Sequence, residues 1–161
     1  MKVTRRVTVE HNRLRFAAAH FATFRGTCEP LHGHNYDVIV DVEGSLSDDS
    51  WVWDFGALKA QTRALTEELD HKFLLQLDSR ALKIVERQDS WDVSFEEKRY
   101  VFPRADVAAL NIDNSTAERL AEWFGNALWA HLQTNGNGAI TRLTVGIEEM
   151  PGQAGWYTLE R

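Results

Sequence analysis

An α+β domain, with an antiparallel β-sheet and two helices packed on one of its faces, is what three features of the chain predict. Stretches that alternate apolar and polar at period two lie toward both ends, as half-buried strands do. Two stretches with apolar residues at three- and four-residue spacing lie between them and read as amphipathic helices. Turn-forming clusters separate these segments, and 161 residues are expected to form a single domain, residues 1–161, with a sizeable core.

Hydrophobic residues make up 43% of the chain and charged residues 26%, the balance of a folded globular protein rather than a disordered one. A formal net charge of −6 and the lack of a basic run speak against nucleic acid as a partner, because phosphate binding needs clustered Lys and Arg. An anionic ligand would be met locally, by cations such as Arg25 and Lys72. No apolar run approaches membrane-spanning length, and no apolar stretch follows the charged start Met1-Lys2-Val3-Thr4-Arg5-Arg6, so a cytoplasmic protein with no membrane partner is expected. The single cysteine, Cys28, excludes an internal disulfide and fits a reducing compartment.

Residues 3–10 alternate and read as the first strand. Apolar parity then changes from odd (Val3, Val7, Val9) to even (Leu14, Phe16, Ala18) across His11-Asn12-Arg13, which predicts a bulge or tight turn. Phe16-Ala17-Ala18-Ala19-His20 is extended, and a hairpin-like return through Gly26 and Pro30 leads to a strand over residues 34–43. That strand places His34, Tyr36, Val38, Val40 and Val42 on one face and Asn35, Asp37, Asp41 and Glu43 on the other. Residues 44–50 form a turn, and Asp54 suits the N-cap of a helix whose Leu58, Thr62, Leu65 and Leu69 share a face and which ends at Asp70-His71. Residues 81–103 predict a β-hairpin inserted between the helices, covering an edge or an oligomer surface. Ser115-Thr116-Ala117-Glu118 reads as a capping box, with Ser115 and Glu118 as the caps, ahead of a helix striped by Ala117, Leu120, Ala121, Phe124 and Leu128. Asn135-Gly136-Asn137-Gly138 is a turn, residues 139–149 are a strand ending in Glu148-Glu149, and Trp156-Tyr157-Thr158-Leu159 is the last strand.

The chemistry gathers in Cys28-Glu29-Pro30-Leu31-His32-Gly33-His34-Asn35-Tyr36. In extended backbone His32 and His34 project to the same side, and the glycine between them admits a close approach. With His20 brought beside them, three neutral imidazoles make the donor set of a catalytic zinc site, whose open position takes water or substrate. Cys28 is either a fourth ligand or a free thiol made more acidic by a nearby cation.

On Phe16-x-Ala18-Ala19-His20 and Cys28-x-x-x-His32-Gly33-His34-Asn35-Tyr36, followed in order by Trp53-Asp54-Phe55, Leu69-Asp70-His71 and Ser115-Thr116-Ala117-Glu118, the chain resembles the 6-pyruvoyltetrahydropterin synthase and 6-carboxytetrahydropterin synthase family. The resemblance implies the tunnelling fold, in which sheets of neighbouring subunits join into a barrel. It therefore implies a homo-oligomer, trimer or hexamer, with active sites at subunit contacts. It implies Zn2+ on His20, His32 and His34, and a lyase acting on a pterin triphosphate, 7,8-dihydroneopterin triphosphate. The leading product is 6-carboxy-5,6,7,8-tetrahydropterin, of the queuosine-precursor branch. Elimination of triphosphate to the 6-pyruvoyl product is an alternative, and a zinc- and pterin-binding protein without turnover is a reading of another class.

Cys28 matches the family's base, and Asp70 with His71 matches its proton-shuttling pair. Glu148 is the positional match for the glutamate that accepts two parallel N–H donors of the pterin ring, with Glu149 the alternative one register away. Thr116 and Glu29 complete the implied substrate contacts. Glu29 directly after Cys28 also resembles relatives that cleave the side chain to 6-hydroxymethyl-dihydropterin with a glutamate in this loop.

Overall fold

A computed structural model describes residues 1, 3–11, 13–135 and 140–161; the Gly136-Asn137-Gly138 part of the expected turn lies outside them. Among the described residues the strands are β1 (Arg5–Val9), β2 (Arg15–His20), the short β3 (Thr23–Phe24) and β4 (Thr27–Cys28), and β5 (His32–Gly44). Helix α1 (Phe55–Leu69) follows, then β6 (Lys72–Gln76), β7 (Lys83–Glu86), β8 (Ser90–Phe95), β9 (Lys98–Pro103) and β10 (Val107–Leu110). The chain closes with α2 (Ala117–Asn135), β11 (Ile140–Met150) and β12 (Gln153–Glu160).

The main sheet has the order β10-β6-β2-β5-β11-β12, and β1 pairs with the far half of β5. The long β5 therefore carries β2 along residues 32–37 and β1 along residues 40–44 of the same edge. Between those two partners the chain turns at His11 and Arg13, which adopt φ of 56° and 68°, and Leu14 N–H donates to the His11 carbonyl at 2.9 Å. That turn is the parity change legible in the sequence.

Both helices pack on one face, where Leu58, Leu69, Leu120, Phe124, Leu128 and Leu132 meet Phe16, Tyr36, Val38, Val40, Val145 and Ile147. Each such side chain contributes roughly 2 kcal/mol by leaving water. Asp54 caps α1 as expected, its Oδ1 accepting Ala57 N–H at 2.6 Å. The cap of α2 is Thr116 rather than Ser115. Arg119 N–H donates to Thr116 Oγ1 at 3.4 Å, while the fully buried Ser115 hydroxyl is drawn to the Phe21 carbonyl at 3.1 Å.

The sheet is mixed, because β6 runs parallel to both β2 and β10. Strands β6 and β10 escaped the sequence reading for a physical reason. Phe73-Leu74-Leu75 is covered on both faces, Leu74 by the helices and Phe73 and Leu75 by a second core, so the run does not alternate. That second core is made by the insertion, a three-stranded sheet β7-β8-β9 rather than a hairpin, because Ile84 and Val85 form a strand of their own against β8. Its Trp91, Val93, Tyr100 and Phe102 cover Phe21, Cys28, Phe73 and Leu75, with the rings of Phe73 and Phe102 stacked at 4.1 Å. Among the described residues no helix is long and apolar enough to cross a membrane.

Candidate active site

Strands β2 and β5 pair so that His20 stands opposite His32 and Ala18 opposite His34. The shared face brings one ring nitrogen of each of His20, His32 and His34 within 4.8 Å of the others. Ring centroids lie 4.6, 5.2 and 4.9 Å apart. Gly33 is required here, because a Cβ would meet the Ala18 carbonyl oxygen of β2 at 2.8 Å.

The surroundings of two rings fix which nitrogen is offered. His20 Nδ1 lies 2.8 Å from the Ser115 carbonyl and His32 Nδ1 lies 2.8 Å from the Pro30 carbonyl. A carbonyl can only accept, so each Nδ1 carries the proton and each Nε2 presents its lone pair. His20 is only 2% exposed, and its Nε2 is buried with no hydrogen-bond partner. Burial pushes its pKa down to about 4, against the opposing Ser115 carbonyl, and the neighbouring imidazoles add to the depression. A neutral imidazole with an orphaned lone pair costs about 1–3 kcal/mol unless something occupies it. A divalent cation shared with His32 and His34 does so, and the residues fit one.

The three rings open onto a cavity of about 410 Å³, shared with Glu29, the start of α2 at Thr116 and Glu118, and Glu149. Strand β12 approaches α2 closely at Gly155, where a Cβ would collide with Glu118 N and the Ala117 carbonyl carbon, which holds the helix start on the cavity rim. Among the described lining residues there is no Lys or Arg. The expected anion contacts lie elsewhere: the Arg25 guanidinium sits over the Phe24 ring at 4.9 Å, and Lys72 Nζ donates to the Ala105 carbonyl.

Glu148, expected to anchor a ring, does not line this cavity; Glu149 does. Strand β11 pairs with β5 so that Val145 faces Val40 and Ile147 faces Val38. Odd positions of β11 therefore share the face of His34 and Tyr36, and Glu148 turns to the other face, where its Oε1 accepts Gly152 N–H at 2.9 Å. The signal was present in Leu143, Val145 and Ile147, an apolar row whose next member is Glu149. Burial raises the Glu149 carboxyl above its usual range, against the attraction of His34. Tyr36, whose ring touches His20 and His34 at 5.9 and 5.3 Å, has a buried hydroxyl without a partner and was not singled out by the sequence.

Cys28 and Glu29 are separated by the alternation of extended backbone. Glu29 faces the cavity, its Oε2 accepting Ala22 N–H at 3.0 Å while its own N–H donates to the Ala22 carbonyl at 3.0 Å. Cys28 is 7% exposed, lies in the second core and is not part of the histidine group, so the structure does not bring its thiol together with the trio. Its Sγ–H donates to the Glu29 carbonyl at 3.5 Å, and burial pushes the thiol pKa up, with Lys98 opposing.

Asp70 and His71 do pair, His71 Nδ1 lying 2.9 Å from Asp70 Oδ2. Asp70 Oδ1 accepts Ala17 N–H at 2.8 Å, a bond that holds this carboxyl below the usual carboxylate range. Asp70 lines a second cavity of about 440 Å³ with Ala17, Asn35 and Asp37, on the sheet face opposite the trio. Within one chain the pair and the trio are thus held apart by the sheet.

Compared with known proteins, residues 9–160 match the family described as 6-pyruvoyl tetrahydropterin synthase. The chain is 34% identical over 148 residues, 91% of each chain, to a Methanocaldococcus jannaschii protein provisionally described as 6-carboxy-5,6,7,8-tetrahydropterin synthase. It is 30% identical over 138 residues to a Pyrococcus horikoshii protein of the same description, covering 84% of this chain and 80% of that one. Among solved structures, Plasmodium vivax 6-pyruvoyltetrahydropterin synthase superposes with a TM-score of 0.90 at 29% identity, over 99% of this chain and 100% of that one. That structure is of a mutant in which a glutamate, a catalytic residue, is replaced by alanine.

Proposed function

The chain belongs to the 6-pyruvoyl tetrahydropterin synthase family, and on that premise we propose that it converts 7,8-dihydroneopterin triphosphate to 6-carboxy-5,6,7,8-tetrahydropterin, the queuosine-precursor product, at the His20, His32 and His34 cavity. One observation carries the reading: three imidazoles, with the His20 lone pair buried and unpartnered, open on the same cavity as Glu29 and Glu149. His20, His32 and His34 would hold zinc, which when bound polarises side-chain oxygens and stabilises the negative charge that develops as a neighbouring C–H is broken.

Glu29 is the base in this reading. The Ala22 N–H fixes one carboxylate oxygen and leaves the other free to take the proton at the cavity. Glu149 anchors the pterin, its two oxygens accepting the ring's parallel N–H donors. Those donors favour the ionised carboxyl that burial alone disfavours. Thr116 and Glu118 border the ligand from the helix start.

Asp70 and His71 serve from a second copy of the chain. Their place on the opposite sheet face supports this, because a neighbouring subunit of a joined barrel can present that face to the trio. The side-chain product is open to a second reading, cleavage to 6-hydroxymethyl-dihydropterin, favoured by the place of Glu29 in the cavity and Cys28 outside it.

Incubating the purified protein with 7,8-dihydroneopterin triphosphate and identifying products by mass tests both readings. Formation of 6-carboxy-5,6,7,8-tetrahydropterin is expected. A hydroxymethyl product alone would establish the second reading, and an unchanged substrate in the zinc-loaded protein would overturn both.

A further inference from the structure

We propose that Lys98, carried by the inserted three-stranded sheet, is a positioning residue that sets which member of the Cys28-Glu29 pair faces the histidine trio; this rests on the reading of Glu29 as the base. Lys98 opens β9, and its ammonium donates to the Cys28 carbonyl at 2.7 Å and reaches the Glu29 carbonyl at 3.4 Å. Those carbonyls belong to the two peptide planes on either side of the Glu29 Cα. Because each plane is rigid, holding both fixes φ and ψ of Glu29 and hence the direction of its side chain. A charged donor makes these bonds stronger than neutral ones.

The insertion acts on the other member of the pair as well. Its Trp91 and Val93 share the second core with Cys28, so the thiol is held beneath the small sheet, on the side of the main sheet away from the helices. The Glu29 main chain and carboxylate are tied to Ala22 on the cavity side. With one cation clamping the carbonyls between these two anchors, the carboxylate is delivered to the cavity and the thiol withheld from it. Releasing the clamp frees the backbone to rotate and lets the thiol out.

The test uses the full chain, zinc-loaded, as Lys98→Met, Lys98→Arg and Arg87→Met variants. Arg87 pairs with Asp92 at 3.3 Å on the same small sheet and makes no bond to the Cys28-Glu29 loop among those described, so it reports general loosening of the insertion. The first readout is the rate at which the neutral reagent dithiodipyridine labels Cys28 under native conditions. Lys98→Met should be labelled about tenfold faster than the wild type, the effect of losing one charge-assisted bond on a local opening equilibrium. Lys98→Arg should restore slow labelling and Arg87→Met should leave it unchanged. The second readout is turnover of 7,8-dihydroneopterin triphosphate, where kcat should fall in Lys98→Met at unchanged zinc content. Unaltered labelling in Lys98→Met, equal acceleration in Arg87→Met, or faster labelling with kcat intact would each overturn the proposal. A wild type without turnover would strike the reading of the reaction instead, and the labelling rates would then decide the role of Lys98 alone.

Discussion

Two adjacent acids at the end of β11 have opposite fates because one peptide step reverses the face of a strand. Glu149→Gln should raise KM for the pterin roughly tenfold to a hundredfold, since an amide cannot accept two N–H donors with charge. Glu148→Gln should leave KM unchanged, because its carboxylate turns away from the cavity to accept the Gly152 N–H at 2.9 Å. Steady-state kinetics of the two variants separate these outcomes, and a raised KM in Glu148→Gln alone would reverse the assignment. Glu29→Ala should lower kcat by about a hundredfold or more with zinc retained, whereas Cys28→Ala should keep most activity. His20 supplies a stability test. Its folded pKa of about 4 lies below the ordinary 6.5, so in the metal-free protein the unfolded state takes up the proton first. Stability should therefore be complete above pH ~6.5 and fall as pH drops toward ~4, by roughly 3 kcal/mol, then level off. Urea midpoints across that range should show this loss in the wild type and not in His20→Gln. The trio itself was legible, because period two put His32 and His34 on the apolar face of β5. The Cys28 position was not, since its burial is decided by aromatic residues more than sixty positions away in β8 and β9.

At the scale of elements, the start of α2 joins helix capping to the support of the histidine trio. Thr116→Ala should cost about 1 kcal/mol of helix stability through loss of the cap at Arg119 N–H. Ser115→Ala should act differently, weakening zinc binding by about tenfold to a hundredfold, because the hydroxyl that ties Phe21 to the segment supporting His20 is gone. Competition with a chelator reads the second effect and thermal unfolding the first; equal zinc affinity in wild type and Ser115→Ala would show the hydroxyl to be without influence on the site. The capping pattern Ser-Thr-Ala-Glu located this helix start correctly but not its cap. What sequence could not weigh was the tertiary pull of the Phe21 carbonyl, which lies just past the end of β2 and almost a hundred residues earlier. Strands β6 and β10 were hidden for the related reason that burial on two faces erases alternation, while β1, β5, β11 and β12, each with one face open to solvent, were readable.

The whole chain presents the His20, His32 and His34 trio and the Asp70-His71 pair on opposite faces of one sheet. If Asp70 and His71 act across a subunit contact, Glu29→Ala and His71→Ala should each be nearly inactive, yet partial activity should return when the two are unfolded together and refolded as mixed assemblies. Continued inactivity of the mixture would place the pair and the trio in service of the same chain. All of this depends on the trio holding a metal ion. Elemental analysis of the purified wild type beside a His32→Ala, His34→Ala double variant measures it: about one zinc per chain in the wild type and none in the double variant are expected for a site built from His20, His32 and His34. Full zinc in a folded double variant would contradict it.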